Sequence, residues 1–450
     1  MKQPFLTAIF FNTSILGFSL IAEQSKAKIY YMLNKYLTIT FLSLFSIGFS
    51  QNSKKEIQIP KQFADHKNMT KAVKGISEQL KTHTIVGLGE GTHGTKEFNE
   101  IRSEISKQLI SKNEFRIVAF ESSYGDAAFL NDAVNSDADL NIAVKKYITS
   151  IWQTKEIYAL LTWIREYNKK HTDKVIISGF DTDVLTNSAE ILKKTEGLGK
   201  EYTDIAYEIG QKAALQDEMW EKQNDPSFKL DMNAVIKNGA EGFLLAKKAD
   251  SLYGQKMDLS SKLALYNLEQ GFKIPYEASK KNYEVSRDLI MAEMIGKIQA
   301  AYNKKMILFA HNAHVALKPI LVDGMGGYLK KKYGNQYYAL ATSTVLGNYS
   351  ATTDPRAVKN NKYSSYQLPK QLENSWEEKL GNNKYENYFV DFNGSPENVY
   401  GQSFKMRFLG YGPITPPTEK FTITEPLKLN ECFNGIIFIK QTNASEHLSN

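Results

Sequence analysis

The sequence is poor in cysteine: Cys432 is the only one among 450 residues. One cysteine excludes an intramolecular disulfide, and it leaves no thiol near the amino terminus to carry a lipid. Cys432 comes just before the last predicted strand and has no histidine close to it in the sequence. We therefore expect a packed thiol and not an activated nucleophile.

Three motifs are also missing, and each absence bears on a class of function. There is no Gly-x-Ser-x-Gly, so a nucleophilic serine on a strained elbow is not expected. There is no His-Glu-x-x-His, the compact zinc signature. There is no basic stripe interleaved with aromatics, and residues 1–50 account for +3 of the formal net charge of +7, so a nucleic-acid partner is not expected.

The composition is that of a folded protein. Hydrophobic residues make up 42% of the chain and charged residues 23%, which is enough apolar material for a large core. We predict one long α/β domain over residues 52–450, with a helical subdomain at 186–300 in which no strand pattern is found.

Residues 1–51 have the pattern of a signal-peptide region. Lys35 precedes an apolar run, and small residues and a polar stretch follow it. A second apolar stretch lies further upstream, and we take Met32 as the true start. Because disulfides are lacking, we expect export to a bacterial periplasm with no stable membrane insertion after the signal is removed. A membrane anchor made of the two apolar segments is the alternative.

Several short apolar runs end in ionisable residues. The runs at 85–88, 116–120, 175–180 and 306–310 read as buried strands. Further strands are predicted at 337–343, 388–392 and 435–440, and helices at 188–196, 201–222, 233–255 and 283–302. Alternation of this kind predicts a largely parallel central sheet flanked by helices, with the helical insertion standing over the carboxyl edge of the sheet or beside it. The carboxyl ends of the strands then meet at one edge, which is where open α/β sheets bind ligands.

The residues at those ends define the candidate chemistry. Glu90, His93 and Arg102 follow the first run, in a glycine-rich turn before a helix. A neutral imidazole held by a carboxylate can take a proton from water at neutral pH. Arg102 could pair with Glu90 or with Glu121, which ends the second run and needs a partner if it is buried.

The other strand ends leave more than one reading. His311 and His314 are spaced to face similar directions, and together with the other acids and histidines they could hold a metal. Asp181 ends the third run, and we expect it to cap the following helix. Aromatic and methionine side chains of the helical segment could line a pocket, although most of them are expected in the core: Met219, Trp220, Phe243, Tyr266, Phe272 and Tyr276.

Several separated motifs together resemble those of the erythromycin esterase family. They run in the same order and spacing over about residues 60–440: Gly89-Glu90-Gly91-Thr92-His93-Gly94 with Glu97-Phe98 and Arg102, Phe120-Glu121, Trp152 to Glu156, Gly179-Phe180-Asp181, Arg287-Asp288 with Met291-Ala292, and Ala310-His311-Asn312-Ala313-His314.

This resemblance implies an α/β core with a helical insertion framing the active-site cleft. It also implies a hydrolase that opens the macrolactone ester of 14-membered macrolides such as erythromycin. It implies that His93 is the general base, that the other active-site positions are Glu90, Arg102, Glu121, His311 and His314, and that no metal or other cofactor is needed. We assign Trp152 and Arg287 to substrate binding; the partners expected are a small macrolide and water.

Three alternatives stay open. The protein could be an esterase of the same family that acts on a different ester. It could be a metal-dependent hydrolase of the distantly similar Tiki type. It could also be a periplasmic protein that binds a ligand without turnover.

Overall fold

A computed structural model describes residues 56–354, 361–392, 399–415 and 422–448. The predicted signal-peptide region lies outside these residues. Residues 55–450 form one compact unit. The strands are β1 (Glu56–Gln58), β2 (Ile85–Glu90), β3 (Phe115–Ser123), β4 (Ile176–Asp181), β5 (Lys305–His311), β6 (Tyr337–Ala351), β7 (Ser364–Gln367), β8 (Asn387–Asp391) and β9 (Gly435–Thr442).

Helices fill the connections between the strands. Before β5 they are α1 (His66–Leu80), α2 (Lys96–Asn113), α3 (Tyr124–Val134), α4 (Leu140–Tyr147), α5 (Lys155–Lys170), α6 (Thr186–Lys193), α7 (Lys200–Glu221), α8 (Met232–Tyr253), α9 (Leu259–Ser279) and α10 (Arg287–Tyr302). After β5 they are α11 (Asn312–Val315), α12 (Met325–Tyr333), α13 (Trp376–Gly381) and α14 (Leu429–Cys432).

All nine strands belong to one sheet. Its order is β1-β8-β9-β6-β2-β5-β3-β4, and β7 pairs with β6. The strands from β9 to β4 are parallel to their neighbours, whereas β1, β7 and β8 are antiparallel additions. The predicted α/β class with a largely parallel sheet is therefore confirmed.

The central strands are apolar at nearly every position because both faces of the sheet are covered. Along β5, Met306, Leu308 and Ala310 pack into one core cluster, while Ile307 and Phe309 pack into the other. Side chains alternate across a strand, so each cluster belongs to one face. The result is three layers: helices, sheet and helices.

Residues between β4 and β5 form α6 to α10 with no strand among them. Four of these helices match the predicted ranges to within a few residues, and α9 lies in the same predicted helical region, for which no bounds were given at this position. Pro275 lies inside α9 and cannot donate a hydrogen bond to the carbonyl of Gly271. The side-chain amide of Gln216 on α7 donates to that carbonyl instead, at 3.1 Å. The boundaries of the predicted subdomain, 186–300, remain a prediction.

None of the helices in the described part of the chain has the length and apolar character needed to cross a membrane.

Candidate active site

The turn after β2 carries the first part of the site. β2 ends at Glu90 and α2 begins at Lys96. Gly94 has a φ of +76°, and its carbonyl accepts hydrogen bonds from the backbone N–H groups of Ser350 and Ser445. Leu409 pairs with the backbone on both sides of Thr92, since its carbonyl accepts from the His93 N–H and its own N–H donates to the Gly91 carbonyl. The turn is therefore fixed by three distant segments of the chain.

His93, Glu90 and Arg102 form a hydrogen-bonded series. Nδ1 of His93 lies 2.6 Å from Oε1 of Glu90, and Oε2 of Glu90 lies 2.5 Å from Nη2 of Arg102. Glu90 is 1% exposed and Arg102 is fully buried, whereas the His93 side chain keeps 9% of its surface exposed. A carboxylate in this position accepts a hydrogen bond from the Nδ1–H of the ring, and this tautomer leaves Nε2 with a lone pair that can take a proton.

Because Arg102 is buried, its positive charge must be stabilised by neighbouring protein groups. Desolvation lowers its pKa, and the Glu90 carboxylate counteracts this effect. The guanidinium lies over the rings of Trp152 and Phe309, 5.3 and 5.0 Å from their centroids, which is a favourable arrangement for a buried cation. Arg102 thus places a buried positive charge beside the Glu90 carboxyl group, behind the imidazole.

Glu121 lies at the centre of a second charged cluster. Its Oε1 lies 3.1 Å from Nη2 of Arg287 and 3.3 Å from Nε2 of His314, and its Oε2 accepts from the His311 backbone N–H at 3.0 Å. Nδ1 of His314 lies 2.7 Å from Asp288. Burial alone would raise the pKa of Glu121, but His314 and Arg287 hold that pKa well below its usual value.

His314 is the counterpart cation of this cluster. Burial lowers its pKa, but the Glu121 charge and the hydrogen bond to Asp288 outweigh burial and raise the pKa to about 9, with Arg287 opposing them as a like charge. At neutral pH, His314 is an imidazolium that donates to both carboxylates. Its two N–H groups are already engaged, so it holds the cluster together.

His311, which ends β5, is in the opposite state. Burial lowers its pKa well below the usual value, and the neighbouring His93 and His314 lower it further. Its Nδ1 accepts from the Ala313 N–H at 3.3 Å, so the neutral ring carries its proton on Nε2. Nε2 is buried and forms no well-aligned hydrogen bond among the described residues, although the Leu409 backbone lies near enough to favour the charged form of the ring. The ring centroid lies 4.9 Å from that of His93.

The sheet explains why these groups meet. Glu90 and His311 are paired in register on β2 and β5, and Glu121 lies on β3, the other neighbour of β5. The carboxyl edge therefore brings all six residues predicted to be catalytic into one region: Glu90, His93, Arg102, Glu121, His311 and His314. What each does in a reaction remains a prediction.

The two residues predicted to bind substrate have different positions. Trp152 is 0% exposed, and its indole N–H donates to the Glu121 carbonyl at 3.1 Å, so it forms the wall behind His93 and does not offer a substrate-contacting surface. Arg287 is paired with Glu121 and with Asp181, yet 39% of its side chain is exposed. Arg287 can reach a ligand; Trp152 in this position cannot.

The expectation that Asp181 caps the next helix was wrong. Asp181 binds Arg287, whereas α6 begins after Leu185. The free N–H groups of Leu185 and Thr186 donate to Asp217 on α7 instead. Of the six predicted pocket residues, Met219 and Phe272 are buried, whereas the other four are only partly buried, so the expectation that most of the set lies in the core is not confirmed.

Three groups that contact the site residues were not predicted from the sequence. Asp288 binds His314, Asn99 binds Arg102, and the segment around Phe408 and Leu409 packs on His311 and His93. The Arg287-Asp288 motif was a signal for the first. Nothing near Asn99 or Leu409 in the sequence marks their contacts, because their partners come from other parts of the fold.

Among the residues that the structure describes, no three His, Cys, Asp or Glu side chains are grouped to hold a metal ion. Whether the protein needs a metal is not decided by this, and the expectation that it needs none stays a prediction.

The fold and the site together define a class: an α/β protein with histidines and carboxylates at the carboxyl edge of its sheet, as in a hydrolase that activates water. Comparison with known proteins specifies it. The erythromycin esterase family model matches residues 110–442, and the chain belongs to that family.

Individual relatives agree with this membership. Erythromycin esterase type II of Escherichia coli is 23% identical, with 80% of this chain and 90% of the relative covered. Erythromycin esterase type I of Escherichia coli is 24% identical, with 57% and 69% covered.

Solved structures share the fold. A protein from Bacillus cereus superposes with a TM-score of 0.68 at 20% identity, covering 88% of this chain and 97% of that one. A mutant of the erythromycin esterase EreC, in its open conformation, gives a TM-score of 0.61 at 18% identity, covering 84% and 96%. Membership in this family supports an ester hydrolase.

Proposed function

We propose that this protein hydrolyses the macrolactone ester of 14-membered macrolides such as erythromycin, with His93 as the general base for water. The observation that carries the proposal is the His93–Glu90–Arg102 series, at the strand edge of a chain that belongs to the erythromycin esterase family.

In the first step, Nε2 of His93 takes a proton from a water molecule while the water oxygen forms a bond to the lactone carbonyl carbon. Glu90 accepts a hydrogen bond from the Nδ1–H of the ring and stabilises the imidazolium that results. A general base of this kind contributes about 10²–10⁴-fold to the rate. No covalent enzyme intermediate is needed.

In the second step, the ring C–O bond breaks and the leaving alkoxide takes the proton from His93. The oxyanion that forms in between needs a donor. His311 suits this role because no side chain among the described residues occupies its buried Nε2–H and because its ring lies close to that of His93. Arg102 and His314 suit it less, because carboxylates already occupy them.

Incubation with erythromycin followed by mass spectrometry tests the proposal. The product should be heavier than the substrate by one water, and labelled solvent oxygen should appear in the new carboxylate. The His93→Ala variant should lose about 10²–10⁴-fold in kcat. His171→Ala is the matched control, because His171 lies on the surface at the end of α5 and should keep the parent rate. A His93 variant with the parent rate would remove the assignment.

A different ester is the second candidate, and the low identity to the named esterases, 23% and 24%, is the observation that favours it. A panel of macrolides and simpler esters distinguishes the two. Turnover of simple esters with intact erythromycin would replace the macrolide by another substrate and leave the His93 mechanism in place.

The metal-dependent and binding-only alternatives have their own tests. The proposed mechanism predicts that dialysis against a chelator leaves the rate unchanged, whereas a Tiki-type enzyme would lose it. A ligand-binding protein would return erythromycin intact after stoichiometric binding.

We also propose that the protein is exported to the periplasm and that its signal peptide is removed near residue 51. Fractionation of cells that express the full chain, with mass spectrometry of the mature amino terminus, tests this. An uncleaved chain in the membrane fraction would favour the anchor.

A further inference from the structure

Asn99 connects the catalytic series to the end of the chain. Its Oδ1 lies 2.6 Å from Nη2 of Arg102, and its Nδ2 lies 3.0 Å from the hydroxyl of Ser445. Arginine can only donate, so the oxygen of the Asn99 amide must face it and the NH₂ group must face Ser445. Asn99 is 0% exposed and Ser445 is 5% exposed, so water does not substitute readily for either contact.

The geometry of Arg102 depends on having an acceptor at this position. Its Nε donates to the Phe98 carbonyl and its Nη1 to the Leu88 carbonyl. Nη2 has two hydrogens, of which one goes to Glu90 and the other to Asn99. With both filled, the plane of the guanidinium is fixed and one N–H is directed at Glu90. A neutral amide does this without competing with Glu90 for the positive charge.

The segment that holds Asn99 also binds the catalytic turn. We call residues 443–448 the C-terminal strap. Ala444 pairs with Thr95 in a β-bridge, the Lys96 N–H donates to the Asn443 carbonyl, and the Ser445 N–H donates to the Gly94 carbonyl. The Glu97 carboxylate accepts from the backbone and side chain of Asn443. The strap therefore contacts the turn directly after His93 and again at Asn99.

We propose that Asn99 is a positioning residue for His93 that acts through Arg102 and Glu90, and that Ser445 of the C-terminal strap holds it in the required orientation. This inference rests on the proposed role of His93 as the base. The Nδ1–H tautomer of His93 then depends on the Asn99 amide, which contacts neither His93 nor the substrate.

Two readouts on the full chain test the inference. One is steady-state kinetics. The other is ¹⁵N NMR of ring-labelled histidine, which reports the tautomer of each of the seven histidines, with His93→Gln to assign His93. In Asn99→Ala, kcat should fall about tenfold or more with little change in KM, because a misdirected base slows the chemical step. The His93 ring should shift from mostly Nδ1–H to a mixture of tautomers.

Asn168→Ala is the matched control. Asn168 is also a buried asparagine, 4% exposed, but its amide bonds to Val175, just before β4 at the opposite edge of the sheet. It should lose stability in a similar way while keeping the parent kcat and the parent His93 tautomer. A folded Asn99→Ala protein with both parent values would overturn the inference.

Ser445→Ala removes only the hydroxyl that accepts a hydrogen bond from Asn99, and it keeps the backbone hydrogen bond to Gly94. This variant tests the positioning role of Asn99 if the Asn99→Ala protein does not fold. It should show a smaller fall in kcat and some tautomer mixing, and Ser445→Thr should restore both. Parent values in Ser445→Ala would then overturn the inference. If the parent protein hydrolyses no ester, the proposed function fails, and the NMR comparison alone decides about Asn99.

Discussion

The three histidines of the site differ in what their ring nitrogens contact. His93 contacts one carboxylate, His314 contacts two, and His311 contacts a backbone N–H. In the proposed mechanism, the same residue type thereby supplies a base, a fixed cation and a neutral donor. The spacing of His311 and His314 in the sequence could not separate their roles, because Asp288 and Glu121 reach them from other elements.

His314 should make the stability of the protein depend on alkaline pH. Its folded pKa of about 9 lies above the ordinary 6.5, so the stabilisation is fully present below pH 6.5 and is lost as pH rises through 9. In His314→Gln this contribution is missing. Denaturant unfolding of both proteins should give a stability difference that is largest below pH 6.5 and shrinks by roughly 3 kcal/mol towards pH 10. A difference that does not change with pH would contradict the ionised state of His314.

Arg102 should be needed for stability as well as for orientation. Arg102→Met keeps much of the side-chain volume but leaves Glu90 buried without its cation, which should cost about 3–5 kcal/mol in unfolding free energy. Adding Glu90→Leu removes the unpaired carboxylate and should restore most of that loss, although not the activity. If the double variant were no more stable than the single one, the buried ion pair would not be the cause.

At the scale of elements, the turn between β2 and α2 that carries His93 depends on Gly94 in two ways: on its backbone conformation and on the close approach of Ser350 to it. Gly94 has a φ of +76°, and a Cβ there would collide with the side chain and carbonyl of Ser350. Gly197 has a similar φ of +78° but open space around it. Comparison of alanine substitutions at these two glycines separates the free-energy cost of the left-handed conformation from that of the collision.

Gly94→Ala should therefore be much more harmful than Gly197→Ala. The second should lose about 1–2 kcal/mol, the cost of a left-handed conformation alone, and keep its activity. The first should lose more and should also lose activity, because the turn that carries His93 must move. Thermal unfolding and kcat measured on both variants check this; equal losses would mean that contact with Ser350 does not constrain the turn.

How far the sequence predicts an element depends on how local its causes are. The runs that became β2 to β5 were predictable because strands covered on both faces are apolar throughout and end at charged or turn residues. The bounds of helix α9 were not predictable, because a proline inside a helix leaves one carbonyl without its backbone donor. Gln216 of another helix donates to that carbonyl, and the sequence around Pro275 does not show this. The Asp181 prediction failed in the same way, because the cap came from Asp217.

At the scale of the whole molecule, the order of the strands in the sheet could not be predicted from the sequence. Alternation predicted that the strand ends share an edge, but β2 lies between β6 and β5 through pairings over more than two hundred residues. The strap and the segment around Leu409 come from still further along the chain. Local patterns therefore predicted which residues meet at the site, and long-range pairing supplied the segments that support them.

The helical region between β4 and β5 should not unfold by itself. Its apolar residues share one core cluster with the sheet, in which Leu263, Leu268 and Phe272 of α9 belong together with Ile117 and Leu308 of the strands. Removing these helices would expose one face of the sheet, so each part depends on the other for burial.

Calorimetry of the chain should then show one transition, with a van't Hoff enthalpy equal to the calorimetric one, and hydrogen exchange should show α7 to α9 losing protection together with β3 and β5. Phe272→Ala should lower the temperature of that single transition, because it removes about 3–5 kcal/mol of buried packing from the shared core. Two transitions, with only the lower one sensitive to Phe272, would mean that residues 186–300 form a separate subdomain whose core does not stabilise the sheet.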